Sequence, residues 1–292
     1  MRKRVIGAVL VVIVSLVPLF FGGPIFTLYM VVLGIAGFRE YLQLVARLNP
    51  GGLGSNAEIG YAVVAGWGCA ALVDDTTFSL LTIAFLSVVS PLIQLFSGPK
   101  QPGGFSAWSF ASTGSLYLGI PIYAAVATRS RSGTVDAHWL AEAAGRFAVG
   151  WDPAPRGLAW ILIVVLATWV GDSVALFAGR IFGKRKLAPM ISPNKSQEGA
   201  IGAILASMVV GAVSFQGFGL SNWKLGLIAG AVIGLAGQIG DLAESVMKRQ
   251  AGVKDSGSLV PGHGGVLDRI DALLFAFPAG FLMAVGLERI GS

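Results

Sequence analysis

Apolar run follows apolar run along almost the whole of this chain, and that pattern leaves lipid as its main solvent. A helix needs roughly 20 apolar residues to cross the hydrocarbon core of a bilayer. Stretches near that length recur at 5–21, 23–38, 59–74, 78–97, 105–127, 158–180, 199–218, 224–247 and 272–288. The expected fold is therefore all-α: a polytopic transmembrane helix bundle of about nine spans. Only 12% of the 292 residues are charged, against about 25% in soluble domains. The 41 glycines would weaken soluble helices, but small residues suit membrane helices that pack backbone to backbone. Gly226, Gly230 and Gly234 form one such face.

Orientation follows from the basic residues. With the N-terminus in the cytoplasm, 15 of the 21 lysines and arginines fall on the cytoplasmic side and 6 on the other. The positive-inside rule favours that arrangement. A loop over 129–157 separates N-terminal helices (1–128) from a C-terminal catalytic region (158–292), with a short interfacial helix expected near His138-Trp139-Leu140. The first apolar run, after Met1-Arg2-Lys3-Arg4, is expected to be a retained helix rather than a cleaved leader. The net charge of +6 does not indicate nucleic acid, because the cations sit in short loops between apolar runs. A single cysteine, Cys69, excludes an intrachain disulfide and a cysteine-rich metal site.

Ionisable groups in or at the end of a span are costly and mark function by default. Asp172 interrupts one span, and Asp241 and Glu244 sit in the last turns of another. Glu244, Ser245 and Lys248 follow Asp241 at helical spacing, so a polar stripe runs out of the membrane toward the loop. The bland alternative is an interhelical ion pair of Asp241 or Glu244 with Lys248. After the stripe comes a loop rich in glycine, with Pro261, Gly262, His263, Gly264 and Gly265. Backbone N–H groups in such a loop can approach phosphate oxygens. Lys248, Arg249, Lys254 and Arg269 supply the charge that a triphosphate requires. Asp268 and Asp271, three apart, present two carboxylates on one helical face. With Asp241 they make an oxygen-rich set suited to a hard cation such as Mg²⁺.

The 27 positions from Ser245 to Asp271 resemble the signature of the phosphatidate cytidylyltransferase (CDP-diacylglycerol synthase) family. That pattern is Ser-x-x-Lys-Arg, four residues, Lys-Asp-x-Gly, then Pro-Gly-His-Gly-Gly and Asp-Arg-x-Asp. Val260 stands where the family usually has Ile, Leu or Phe. Asp172-Ser173, Gly179-Arg180, Phe182-Gly183-Lys184 and the run Ile191 to Gly199 look like the family's other recurrent region. The N-terminal half resembles the family only in being hydrophobic, and no functional residue is drawn from it.

The resemblance implies transfer of the cytidylyl group of CTP to phosphatidate, giving CDP-diacylglycerol and pyrophosphate. It implies a multi-pass protein of the inner (plasma) membrane with its site facing the cytoplasm, and it suggests a homodimer. Asp241 and Asp268 are then expected to hold Mg²⁺, with Asp271 and Asp172 as further ligands and room for a second cation. Lys248, Arg249, Lys254, His263 and Arg269 would take the phosphates of CTP. Lys195 and Arg180 would hold the lipid phosphate, and Lys184, Ser245, Asp255, Gly264 and Gly265 complete the substrate contacts. Two other readings compete. A CTP-dependent lipid kinase of the same superfamily would release CDP instead of pyrophosphate. A secondary transporter would also use intramembrane carboxylates and glycine-broken helices, but it has no need of the polar loop at 245–271.

Overall fold

The computed structural model describes residues 14–49, 56–73, 77, 81, 84–85, 88, 92, 104–145, 153–220, 222–259 and 264–291. Six helices among these are long and apolar enough to cross a membrane: Gly23–Leu48, Ser106–Arg129, Arg156–Phe182, Gln197–Gly217, Trp223–Gln250 and Leu267–Leu287. The fold is all-α and membrane-like, as expected; the count of nine spans is not confirmed among the described residues. Most of the expected spans 5–21 and 78–97 lie outside the described residues, and the span at 59–74 appears as the 15-residue helix Asn56–Ala70.

The chain divides into two compact units, 1–18 with 22–126 and 246–270, and 19–21 with 127–245 and 271–292. A helical segment reaches residue 21. Gly22, at φ 69°, then turns the chain into α1 (Gly23–Leu48), with a proline in its first turn. Proline is tolerated there because the N–H it lacks would have no helical partner. The expected boundary at residue 38 is wrong by ten residues, since α1 runs through Arg39, Glu40 and Arg47 to Leu48. Glu40 lies within that helix, 1% exposed. Against α1 pack α2 (Asn56–Ala70) and α3 (Gly104–Arg129). Phe38 is fully buried and meets the Tyr61 ring edge-on at 5.0 Å. The Tyr41 hydroxyl donates to the Phe110 carbonyl at 3.1 Å.

The second unit includes Arg129, the last residue of α3. Its buried guanidinium donates to the carbonyls of Leu19 and Phe20, both at 2.7 Å, and so serves helix-end acceptors that have no partner in their own helix. An antiparallel pair of two-residue strands, β1 (Thr134–Val135) and β2 (Ala154–Pro155), brackets α4 (His138–Gly145). This is the short helix expected near Trp139. Then come α5 (Arg156–Phe182), the hairpin of β3 (Lys186–Ala188) and β4 (Ser192–Ser196), α6 (Gln197–Gly217) and α7 (Trp223–Gln250). Helix α8 (Leu267–Gly291) ends the described chain. The Ser207 hydroxyl ties α6 to α5 by donating to the Ala167 carbonyl at 2.8 Å. The glycine face read from spacing packs as expected: a Cβ on Gly230 would lie 2.8 Å from the Met208 Cα and one on Gly226 2.9 Å from the Ala212 Cα. Backbone meets backbone there, which only glycine permits.

Candidate active site

The polar groups gather in two clusters, one in each unit. The first is built on the end of α7 and the start of α8. Helix α7 closes in a Schellman motif: Val253 N–H donates to the Lys248 carbonyl at 2.9 Å and Gly252 N–H to the Arg249 carbonyl at 3.1 Å. Gly252 takes φ 70°, the left-handed conformation that this cap requires. That turn leads the chain into the polar loop and leaves Lys248 in the last helical turn, 9% exposed.

Lys248 Nζ donates to Asp268 Oδ1 at 2.6 Å. The other oxygen of Asp268 accepts from Ser256 N at 2.9 Å, Ser256 Oγ at 3.0 Å and Gly265 N at 2.8 Å. Asp268 stands in the first turn of α8, where partial positive charge at the helix N-terminus also favours a carboxylate. Gly264, at φ 85°, has no room for a side chain: a Cβ would lie 2.7 Å from Asp268 Oδ2. One carboxylate thus gathers the helix end, the loop and the next helix start. Arg249, Lys254, Asp255 and Arg269 are exposed on the same segments, and Arg249 Nη1 donates to the Val253 carbonyl at 3.2 Å. His263 lies outside the described residues, with Val260 to Gly262.

The second cluster joins β4, α5, α7 and α8. Lys195 on β4 pairs with Asp241 on α7 at 2.5 Å. Ser245, one turn on, donates to Asp241 at 3.5 Å, at the limit of a hydrogen bond. Asp172 on α5 lies within electrostatic reach of Asp241, Asp271 and Lys195. Helices α7 and α8 touch at Gly240, where a Cβ would lie 3.3 Å from the Asp271 backbone carbon. The hairpin that carries Lys195 is fastened at its root. Glu198 accepts from Lys184 N at 3.1 Å and Arg185 N at 3.3 Å, and Ser196 caps α6 by accepting from Gly199 N at 3.1 Å. Arg180 and Lys184 are exposed nearby in sequence. Three carboxylates with one lysine leave this cluster net negative.

Among the described residues no three His, Cys, Asp or Glu side chains converge on a metal position. The ion-pair alternative drawn from helical spacing joined Asp241 or Glu244 to Lys248; Asp241 engages Lys195, and Lys248 engages Asp268. One residue of the first unit escaped sequence reasoning altogether. Glu40 accepts from Ser256 Oγ, Val266 N and Leu267 N at 2.8 to 3.0 Å. Its signal was a carboxylate at the end of an apolar run, the same signal that exposed Asp172 and Asp241.

A polytopic helical protein with a buried lysine–aspartate pair between a helix end and the next helix start is the class these features define. The cytidylyltransferase family model matches residues 2–286. The chain belongs to that family. It is 32% identical over 283 residues to a phosphatidate cytidylyltransferase of Staphylococcus saprophyticus, covering 95% of this chain and 96% of that one. Similar proteins of the same name come from Staphylococcus haemolyticus, 48% identical over 124 residues (42% of this chain, 47% of that one), and Staphylococcus epidermidis, 40% over 159 (52% and 61%).

Proposed function

We infer that the chain is a phosphatidate cytidylyltransferase, transferring the cytidylyl group of CTP to phosphatidate. Membership of the family across residues 2–286 carries the activity, and the buried Lys248–Asp268 bond at 2.6 Å supports the choice of that segment as its site. The nucleophile is a phosphate monoester whose second pKa is about 6, so at neutral pH it is largely a dianion. No general base is needed. One of its oxygens forms a bond to the α-phosphorus of CTP, the bond from that phosphorus to the β-bridging oxygen breaks, and pyrophosphate leaves with the electron pair. The protein's task is to bring two polyanions together and to hold them in line.

Lys248, held by Asp268, gives a fixed positive charge that cannot swing away, while Arg249, Lys254 and Arg269 reach the triphosphate and the departing pyrophosphate. His263, Asp255, Gly264 and Gly265 belong to the same binding loop. Lys195, Arg180 and Lys184 take the lipid phosphate, and Ser245 orients Asp241. The family suggests a divalent cation, and the donor set suits Mg²⁺, which takes one or two carboxylates and fills its shell with water and substrate phosphates. The carboxylates proposed as ligands are Asp241, Asp172 and Asp271 in the one cluster and Asp268 in the other. Asp241 and Asp268 each engage a lysine ammonium. A bound cation would supply charge neutralisation between attacking and leaving oxygens.

The site is placed at the cytoplasmic face of the plasma membrane, where CTP reaches it from water and phosphatidate from the bilayer. Purified protein in detergent, given CTP, phosphatidate and Mg²⁺, should form CDP-diacylglycerol and pyrophosphate in equal amounts. Release of CDP in place of pyrophosphate would assign the lipid kinase reaction instead.

A further inference from the structure

We infer that Glu40 is a positioning residue for cytidylyl transfer, acting from the N-terminal half of the chain on the loop and helix start that carry Asp268. The inference rests on the function proposed above and adds to it a residue outside the signature. Glu40 is 1% exposed, a carboxylate removed from water in the middle of α1. Such a group is stable only when its oxygens find donors. It finds two backbone donors, Val266 N at 3.0 Å and Leu267 N at 2.8 Å, and shares the Ser256 hydroxyl, at 2.9 Å, with Asp268. The two backbone donors stand at the N-terminus of α8, where N–H groups lack helical partners. Glu40 therefore caps from a distance the helix that carries Asp268 and Arg269.

Through Ser256 the effect reaches the reactive centre. That hydroxyl has one proton and lies 2.9 Å from Glu40 Oε2 and 3.0 Å from Asp268 Oδ2. It sits between the two carboxylates, and Asp268 in turn holds Lys248. The glycines of the loop acquire a second meaning. A Cβ on Gly257 would lie 2.7 Å from Glu40 Cδ and 3.1 Å from its Cγ, with no other group nearer, and one on Gly265 would lie 2.7 Å from the same Cδ. At Gly257 Glu40 alone fills that space, and at Gly265 the Ser256 hydroxyl and Glu40 fill it together. Phosphate approach is not needed to explain them.

Glu40→Gln keeps size and replaces one acceptor oxygen with an amide that faces a donor. With purified protein, CTP and phosphatidate, kcat should fall by about 100-fold, the scale of a misplaced reactive group. The KM for phosphatidate should stay within about twofold, and the melting temperature should be nearly unchanged; a purely structural role would lower the temperature and leave the kcat of folded molecules alone. Gly257→Ala tests the contact independently. Paired with Glu40→Asp, which withdraws the carboxylate by one methylene, it should regain part of the kcat and melting temperature that Gly257→Ala alone loses. A kcat within about twofold of wild type in Glu40→Gln would overturn the inference, as would a fall in melting temperature without a fall in kcat. Where Glu40→Gln gives no folded protein the paired variants decide, and simple addition of their losses overturns it. A wild type that makes no CDP-diacylglycerol would strike the proposed function, whereas the Gly257–Glu40 relief would still be readable in melting temperature.

Discussion

Lys248 and Asp268 meet at 2.6 Å with side chains only 11% and 5% exposed, twenty residues apart in sequence. Desolvating two charges is costly, and removing one partner leaves the other buried and unpaired, at about 3 kcal/mol or more. Lys248→Ala should therefore lose at least about 100-fold in kcat and lower the melting temperature. Lys186→Ala, on an exposed strand of the hairpin, should keep near-normal rates. Parallel assays and thermal melts of the two variants check this contrast. Equal losses would mean that basic charge in general, not this pair, matters.

Asp241 is the proposed metal carboxylate of the second cluster, and its partner Lys195 is one-quarter exposed. Chelation of divalent cations should abolish turnover. Asp241→Asn removes charge but keeps shape and should raise the Mg²⁺ concentration for half-maximal rate by about tenfold or more. Turnover titrated against Mg²⁺ for wild type and variant gives the answer. Wild-type activity that survives exhaustive chelation would remove the cation from the mechanism.

Gly230 faces Ser207 and Met208 so closely that a methyl group would meet backbone, with the Met208 Cα at 2.8 Å. Backbone cannot step aside as a side chain can. Gly230→Ala should cost about 2 kcal/mol, the scale of overpacking, while Gly217→Ala, where a Cβ meets nothing within 4 Å, should be neutral. Thermal melts in detergent compare them.

Both polar loops should open to the cytoplasm. Met190, 93% exposed at the hairpin tip, and exposed Ser258 are sites for single cysteines in a Cys69→Ala background. An impermeant thiol reagent should label both only after cells are opened. Labelling of either from outside intact cells would overturn the orientation.

Much of the site could be read before any fold was known, for a physical reason. Charges such as Asp172 and Asp241 stand out against lipid-facing runs, and the Ser245–Asp271 segment carries its own turn chemistry, from the Gly252 cap to the Gly264 left-handed residue. Spans such as Arg156–Phe182 were placed within two residues because apolar length marks them directly. Glu40 was out of reach. Its partners lie 216 to 227 residues away, so local pattern shows a carboxylate ending a span and nothing that would keep it buried. The same blindness cut α1 short at residue 38. The β3–β4 hairpin was also hidden, because strands this short, carrying Pro193, have no alternating signature to detect.

The central claim is that the cytidylyl group, not the terminal phosphate, moves to the lipid. The direct measurement follows CTP labelled at its α-phosphate and, separately, at its γ-phosphate through a reaction with phosphatidate and the purified protein. The account predicts that α-label enters the lipid fraction as CDP-diacylglycerol while γ-label leaves as pyrophosphate. It also predicts that Lys248→Ala stops both. Appearance of γ-label in the lipid, with α-label left in soluble CDP, would contradict it.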